Sequence, residues 1–325
     1  MPRDHELRLG TRGSPLALWQ ANEVAARIRE TGGPPCRIVV IKTSGDRLQD
    51  APLSEVGGKR LFVKEIEDAL VRNDIDLAVH SSKDMSVTLP AGLTIAGVLA
   101  REDPLDAVVL PVRAEGSGPR IGAVDALAGA LGRAPSIGTG SVRRIAQLAR
   151  LVPGARFSPI RGNLDTRLRK LDEGQHDAIV LAAAGLRRLG FASRISLTLP
   201  ATACVPAPGQ GIVAIEIRGD DEAVRLAVDP VNDDLAGAAL TAERAVVWGL
   251  GGGCQTPIGA LASSPDRETI ELVAVVAAVD GSRAVRATGR AARADAAALG
   301  ARIAQQLVAQ GADEILADAR LTTHD

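Results

Sequence analysis

The chain is poor in rings and in sulfur. Its 325 residues hold three Phe, two Trp, no Tyr, two Met and three Cys. With so few aromatics, the interior must be aliphatic, built from Ala, Leu, Val and Ile. Cys36, Cys204 and Cys254 stand far apart and are odd in number. That excludes paired zinc-ligand spacing and argues against a disulfide framework. Four scattered His complete no ligand motif, so no metal is expected. No apolar stretch is long and charge-free enough to span a bilayer. The opening, Met1 to Glu6, has no apolar signal region, so a cytoplasmic protein without a membrane partner is expected. A net charge of −1 gives no reason to invoke nucleic acid. No solenoid-type repeat is visible.

What remains is the composition of a soluble globular protein, long enough for two or three domains. Strand and helix signals alternate through the first two-thirds. Leu7 to Leu9 leads to Ser14-Pro15, a helix start, with Leu16, Trp19, Val24 and Ile28 at helical spacing. Strands are expected at Arg37–Ile41, Asp76–His80, Ala107–Leu110, Ser136–Gly138, Phe157–Ile160, Ala178–Ala182 and Ile212–Ile217. Helices are expected from Lys59 to Val71, from Ser141 to Arg150, and over Leu164 to Leu171. This rhythm predicts an α/β fold with largely parallel sheets. Pro206 to Gly211 reads as a linker. The last third is Ala-rich and reads as a small α+β domain. It has helices near Leu235–Trp248 and Asp295–Gln310, and a hairpin turning at Asp280-Gly281.

Two features carry chemistry. Cys254 sits in Gly251-Gly252-Gly253-Cys254-Gln255-Thr256-Pro257, where glycines and a proline predict a tight exposed loop. Side-chain-free neighbours leave room for a bulky group beside the sulfur. The second feature is charge. Between Arg133 and Arg194, eleven Arg and one Lys face four acids. Arg143 and Arg144 fall in the first turn of a helix, where cations oppose the dipole. Arg12 and Arg161 fall at strand ends. Such placements serve local stability poorly and anion binding well, at the strand ends where open α/β sheets take ligands. Several guanidinium groups suit several carboxylates or phosphates. No phosphate-binding loop is present, and Gly138-Thr139-Gly140-Ser141 is a small anion nest at best. Asp84, ending His80-Ser81-Ser82-Lys83-Asp84, is the odd acid in this setting. It is a helix cap, a partner for Lys83, or a carboxylate that stabilises a substrate cation or takes a proton.

These residues lie in segments that together resemble the porphobilinogen deaminase family. The segments are Thr11 to Gln20, Val56 to Glu65, Asp76 to Asp84, Gly138 to Arg144, Arg161-Gly162-Asn163 with Thr166-Arg167, Leu181 to Gly190, Pro206 to Gly211, and Glu243 to Gly259. The resemblance implies two periplasmic-binding-protein-like α/β domains enclosing a cleft, residues 6–100 with 211–229 and residues 101–210. A third α+β domain, residues 230–325, would carry the cysteine loop. It implies a transferase that joins four porphobilinogen molecules stepwise, with loss of ammonia, onto a dipyrromethane cofactor bound through Cys254. Hydrolysis would then release hydroxymethylbilane. By position, Asp84 matches the catalytic aspartate. Lys83, Ser141, Arg143, Arg144 and Arg167 match groups that hold the cofactor. Arg12, Ser14, Arg161 and Arg188 match groups that bind substrate, with Gln20 and Phe62 lining the cleft and Lys59 on a Gly-rich lid. A monomer is expected, its product passing to uroporphyrinogen-III synthase. The chain departs from the family at Gly140, where a small hydroxyl residue is common, and at Met85-Ser86, where Val-Pro is common. From the residues alone a carboxylate-binding protein with the same cleft is the alternative, but it has no need of Cys254.

Overall fold

The computed structural model describes residues 6–43, 63–112, 119–253 and 256–322. Cys254, Lys59 and Phe62 lie outside them. Strand β1 (Leu7–Thr11) runs into the helix Pro15–Glu30. Ser14 caps this helix, its Oγ accepting from the Ala17 N–H at 3.3 Å, and Pro15 opens it. Strands β2 (Cys36–Val40) and β3 (Leu77–Ser81) pair with β1 in parallel. The helix Lys64–Val71 precedes β3. After β4 (Leu93–Val98) the chain leaves for a second sheet of β5 (Asp106–Val109), β6 (Ser136–Gly138), β7 (Arg156–Ser158), β8 (Ala178–Ala182) and β9 (Leu197–Leu199). It then returns, and β10 (Val213–Arg218) inserts between β3 and β4. Strands β11 (Ile258–Ser263), β12 (Thr269–Ala277) and β13 (Ala284–Ala292) form an antiparallel third sheet. The helices Asp234–Gly249, Ala296–Ala309 and Ala312–Thr322 accompany it.

The sheet orders are β2-β1-β3-β10-β4 and β7-β6-β8-β5-β9. The α/β class with a smaller α+β unit is as expected, but the sheets are not largely parallel. In each, two pairings are parallel and two antiparallel. The crossovers explain this. β5 and β10 each enter a sheet from the other one, starting beside the ends of β8 and β3, so Asp106 pairs with Ala182 and Val213 with Ser81. A strand that starts where its neighbours finish must run against them. β4, β9 and β11 were not anticipated, for different reasons. β9 is only three residues long, and β11 (Ile-Gly-Ala-Leu-Ala-Ser) is rich in small residues of low strand preference. β4 contains Gly97.

The buried apolar residues are Leu, Ile, Val and Ala with one Met and one Cys; no Phe or Trp is among them in the described residues. Each sheet has its own aliphatic core: Leu9, Val24 and Ile215 beside the first, Ile179 and Leu186 beside the second, Leu272 and Ile303 under the third.

The two crossover segments touch. The Glu102 N–H donates to the Gly211 carbonyl at 3.1 Å. Gly211 has φ +87°, and a Cβ there would strike the Glu102 carbonyl oxygen. Both facts demand glycine. Gly211→Ala should therefore lower unfolding stability by about 1–3 kcal/mol. Gly122→Ala, where a Cβ meets open space, should stay within about 0.5 kcal/mol. Denaturant titration of both variants checks this; equal stabilities would mean that the crossover is not tightly packed.

Candidate active site

β3 ends at Ser81, which Gln20 fixes from the neighbouring helix by donating Nε2 to Ser81 Oγ at 2.9 Å. One turn of 3-10 helix, Ser82–Asp84, follows. Ser82 is buried, Lys83 half-buried and Asp84 exposed, and Met85 returns to the core. Lys83 Nζ reaches Gln210 Oε1 only at 3.5 Å. The Asp84 carboxylate enters no hydrogen bond or ion pair with the described residues. No capping bond is therefore seen among the described residues, and the exposed carboxylate acts on Lys83 and Arg167 through its charge.

Behind this turn lies a buried ionic knot centred on Asp106, the first residue of β5. Its carboxylate has no exposure. Arg143 donates to it from Nη1 at 2.6 Å and from Nη2 at 3.2 Å, and Arg144 Nε donates at 2.9 Å. Gln210 Nε2 adds a bond at 3.0 Å. Burial alone would push the Asp106 carboxyl up, but the two guanidinium groups overcome it and hold the carboxyl far below the ordinary range. Arg143 also donates to the Val205 carbonyl at 2.8 Å and Arg144 to that of Val180 at 2.9 Å. The Cys204 thiol, 3.5 Å from Asp106, is pushed by burial to about 12 and is inert at neutral pH. Arg143 and Arg144 do sit at the start of the helix Val142–Leu151, as expected. Ser141 caps that helix, Oγ accepting from the Arg144 N–H at 3.5 Å. What cancels the unfavourable dipole is Asp106, which the sequence reading overlooked. An acid opening the apolar run Asp106-Ala107-Val108-Val109 was the available signal.

Five cations and two carboxylates make up the cluster. Burial lowers Lys83 to about 8; Asp84 and Asp106 raise it, while Arg144 and Arg143 lower it. Burial lowers Arg167 to about 10, with Arg144 and Arg161 lowering it further and Asp84 raising it. The structure thus brings together Lys83, Asp84, Ser141, Arg143, Arg144, Arg161 and Arg167. Ser14 and Gln20 are occupied as cap and strap. Arg12 follows the end of β1, half-buried. Arg188 donates to the Gly211 carbonyl at 2.8 Å and stacks over Trp19, 5.3 Å from the ring centroid. That cation–π contact was not foreseen.

A recess links this cluster to the cysteine loop. Lys83, Ser141 and Arg143 line it together with Arg244, Thr256 and Gly253, the residue before Cys254. Its volume is about 70 Å³. Gly251 has φ +57° and a Cβ on Gly252 would collide with Ile258, whereas a Cβ on Gly251 or Gly253 would meet open space. Among the described residues, Arg143 Nε is buried without a partner. A cation excess with an orphaned donor, beside a loop bearing a thiol, fits an anionic group tethered at Cys254. A larger open groove of about 410 Å³, lined by Asp165, Arg169, Asp172, Glu173 and Arg194, has four of its own charges paired and shares no residue with this cluster. Among the described residues no three His, Cys, Asp or Glu side chains gather to hold a metal, and no helix is long and apolar enough to cross a membrane.

Fold and site define a protein of two α/β units with a cationic recess, and a small third unit whose helix leads into a cysteine loop. The chain belongs to the porphobilinogen deaminase family. Residues 7–226 match the model "porphobilinogen deaminase, dipyromethane cofactor binding domain", and residues 238–309 match its C-terminal domain. The chain is 44% identical to a porphobilinogen deaminase of Geotalea daltonii over 314 residues, 96% of this chain and 94% of that one. It is 45% identical to one of Acidithiobacillus ferrooxidans over 317 residues, 97% and 99% of the two chains. Among solved structures it resembles the VFT2 domain of Bordetella pertussis BvgS, with TM-score 0.40 and 15% identity over 70% of this chain and 85% of that one. The family's cofactor is dipyrromethane.

Asp106→Asn should cost about 3–5 kcal/mol, because two buried guanidinium groups lose their counter-charge. With its pKa depressed, Asp106 contributes fully above the ordinary carboxylate range and loses that contribution only as pH falls well below it. A loss under about 1 kcal/mol by denaturant titration at pH 7 would mean that the knot is not held by charge. Lys83 is also lowered, but here the shift disfavours the charged form, so its linkage falls in an alkaline window. In protein freed of cofactor its ammonium is lost near pH 8. Between there and the ordinary lysine value the unfolded chain binds more protons, so this group adds stability as pH rises. Acylation of Lys83 should be half-maximal near pH 8 in cofactor-free protein, and bound carboxylates should move the midpoint upward. An unmoved midpoint would place the bound group elsewhere.

Proposed function

We propose that the chain is a hydroxymethylbilane synthase, a transferase that deaminates porphobilinogen and joins four units into a linear tetrapyrrole. Family membership and one observation carry this. The exposed Asp84 lies between Lys83 and Met85, which line a recess bordered by Arg143, Arg244 and Gly253, and its charge acts on Lys83 and Arg167. Each porphobilinogen brings an acetate and a propionate, so a growing chain gathers carboxylates that need many guanidinium partners.

The roles proposed for the residues are those the family resemblance implies. Cys254 holds the dipyrromethane by its sulfur, and Lys83, Ser141, Arg143, Arg144 and Arg167 hold its acid groups. When bound, the group supplies the carbon nucleophile to which the first pyrrole is joined. Asp84 stabilises the cation left on the substrate when its C–N bond breaks and ammonia departs. As the new C–C bond forms, the displaced proton passes to a base, and Asp84 is placed to accept it. Arg12, Ser14, Arg161 and Arg188 bind the incoming unit and the lengthening chain, with Gln20, Phe62 and Lys59 along the cleft and lid. Ser14, Gln20 and Arg188 reach substrate only after exchanging contacts they now make, so their role is the more demanding one.

The same reading divides the chain into residues 6–100 with 211–229, residues 101–210, and residues 230–325. The enzyme works as a cytoplasmic monomer whose product passes to uroporphyrinogen-III synthase.

Asp84→Asn should fold normally yet lose about 10²-fold or more in turnover, measured as porphyrin formed after oxidation of the product. Cys254→Ala should form none, for want of an attachment point. Near-normal turnover by Asp84→Asn would return Asp84 to a structural role; an active Cys254→Ala would remove the cysteine assignment.

A further inference from the structure

The turn that carries Asp84 is held from outside its own unit. Arg244 lies on the helix Asp234–Gly249 of the third unit, half-buried. Its Nη2 donates to the carbonyl of Ser86 at 2.8 Å and to that of Val87 at 2.6 Å. These are the second and third residues after Asp84. One guanidinium nitrogen thus clamps two successive carbonyls of an otherwise irregular segment. Within that segment, the Met85 N–H donates to the Ser82 carbonyl at 3.2 Å, and no hydrogen bond among the described residues uses the Ser86 N–H. At its start the turn is tied to β10, where the Ser82 N–H donates to the Ile212 carbonyl at 3.0 Å; the Arg244 bonds hold its far end.

The same helix continues to Gly249 and runs into the loop that holds Cys254. Arg244 lines the recess together with Lys83, Met85 and Gly253. Its neighbour Glu243 is fixed on the other side. Glu243 accepts from the Gly209 N–H at 2.6 Å and the Ala262 N–H at 2.7 Å, and pairs with Arg101 at 2.6 Å. The backbone at 244 is therefore anchored, and the Arg244 side chain works from a fixed base.

We infer that Arg244 is a positioning residue for Asp84. It fixes the carboxylate relative to the cysteine loop by clamping residues 86 and 87 from the helix that bears that loop. The inference rests on the catalytic reading of Asp84. It acts on the backbone rather than on any ligand, and so has a readout that does not depend on turnover. A charged guanidinium bond to two carbonyls is stronger than a neutral one. Replacing it with an apolar stem leaves the carbonyls of residues 86 and 87 to water and removes the tie to the third unit. A displacement of about 1 Å in a reacting group lowers rates by about 10²-fold.

The test uses the cofactor-loaded enzyme and three variants. Arg244→Met keeps the side-chain stem and removes the donors. Ser86→Pro stiffens the turn from within: Met85 already has φ −80° and ψ 147°, the region that a residue before proline requires. The third variant combines them. Arg244→Met should lower kcat by about 10- to 100-fold with KM changed by less than about 3-fold. Amide hydrogen exchange should quicken over residues 82–89, with the denaturant midpoint of the whole protein unchanged. The double variant should recover most of kcat and most of the protection, whereas Ser86→Pro alone should resemble the parent. The inference is overturned if Arg244→Met retains kcat, or if exchange over 82–89 does not change. It is equally overturned if kcat falls and Ser86→Pro restores nothing. Asp84→Asn measured alongside separates the two ideas. Normal turnover there removes the catalytic reading, while an inactive Asp84→Asn beside a normal Arg244→Met removes only this one.

Discussion

Asp106 is the charge around which the site is built. Its carboxylate has no solvent, two guanidinium groups and one amide to answer to, and it stands where β5 enters the second sheet from the first. Burying three charges is expensive, and such a group persists only where its hydrogen bonds are nearly complete. Here they are almost complete: carbonyls of Val180 and Val205 take further guanidinium donors, and Arg143 Nε is the donor left over. The knot thus orders Arg143 and Arg144 before any ligand arrives. It also leaves the cluster cationic, because one acid serves two bases. A protein of nearly neutral charge obtains a preorganised anion site by concentrating its arginines and withholding acids from them.

The third unit contributes by bonding rather than by burying the cleft. Arg101 and Glu243 join the outgoing crossover to the helix Asp234–Gly249, and the Arg101 Nε donation to the Gln210 carbonyl at 2.8 Å adds the returning crossover. Gln210 then bonds Asp106. A continuous set of charge-assisted bonds therefore runs from the helix before the cysteine loop to the buried Asp106 knot. The hairpin between β12 and β13 also docks on the second unit, where Arg150 donates to the Gly281 carbonyl at 2.9 Å. For a group tethered on one unit and gripped by another, such ties keep tether and grip in register.

Much of this was legible in the sequence, and what was not has physical causes. Ser14-Pro15 announced its helix because capping chemistry is local. The alternation of apolar runs and amphipathic stretches announced the α/β class for the same reason. The cationic cluster was legible as an excess of Arg at helix starts and strand ends. Its counter-charge was not, since Asp106 is 37 residues from Arg143 and only the crossover brings them together. Strand direction was misread because direction depends on how the chain passes between sheets, which no residue pattern encodes. Trp19 was read as one apolar position of a helix; its contact with Arg188 is tertiary. Arg244 lay within a recognised segment, yet its partners are backbone carbonyls, and these leave no trace in side-chain pattern.

The central claim is that the cationic recess serves an acidic group anchored on the neighbouring cysteine. Intact mass of the purified protein, with mapping of the peptide that contains Cys254, tests it most directly. The account predicts a mass gain of two linked pyrrole units, located on Cys254. An unmodified Cys254 in protein from cells replete with porphobilinogen would contradict it, and would leave the recess an anion site without a tether.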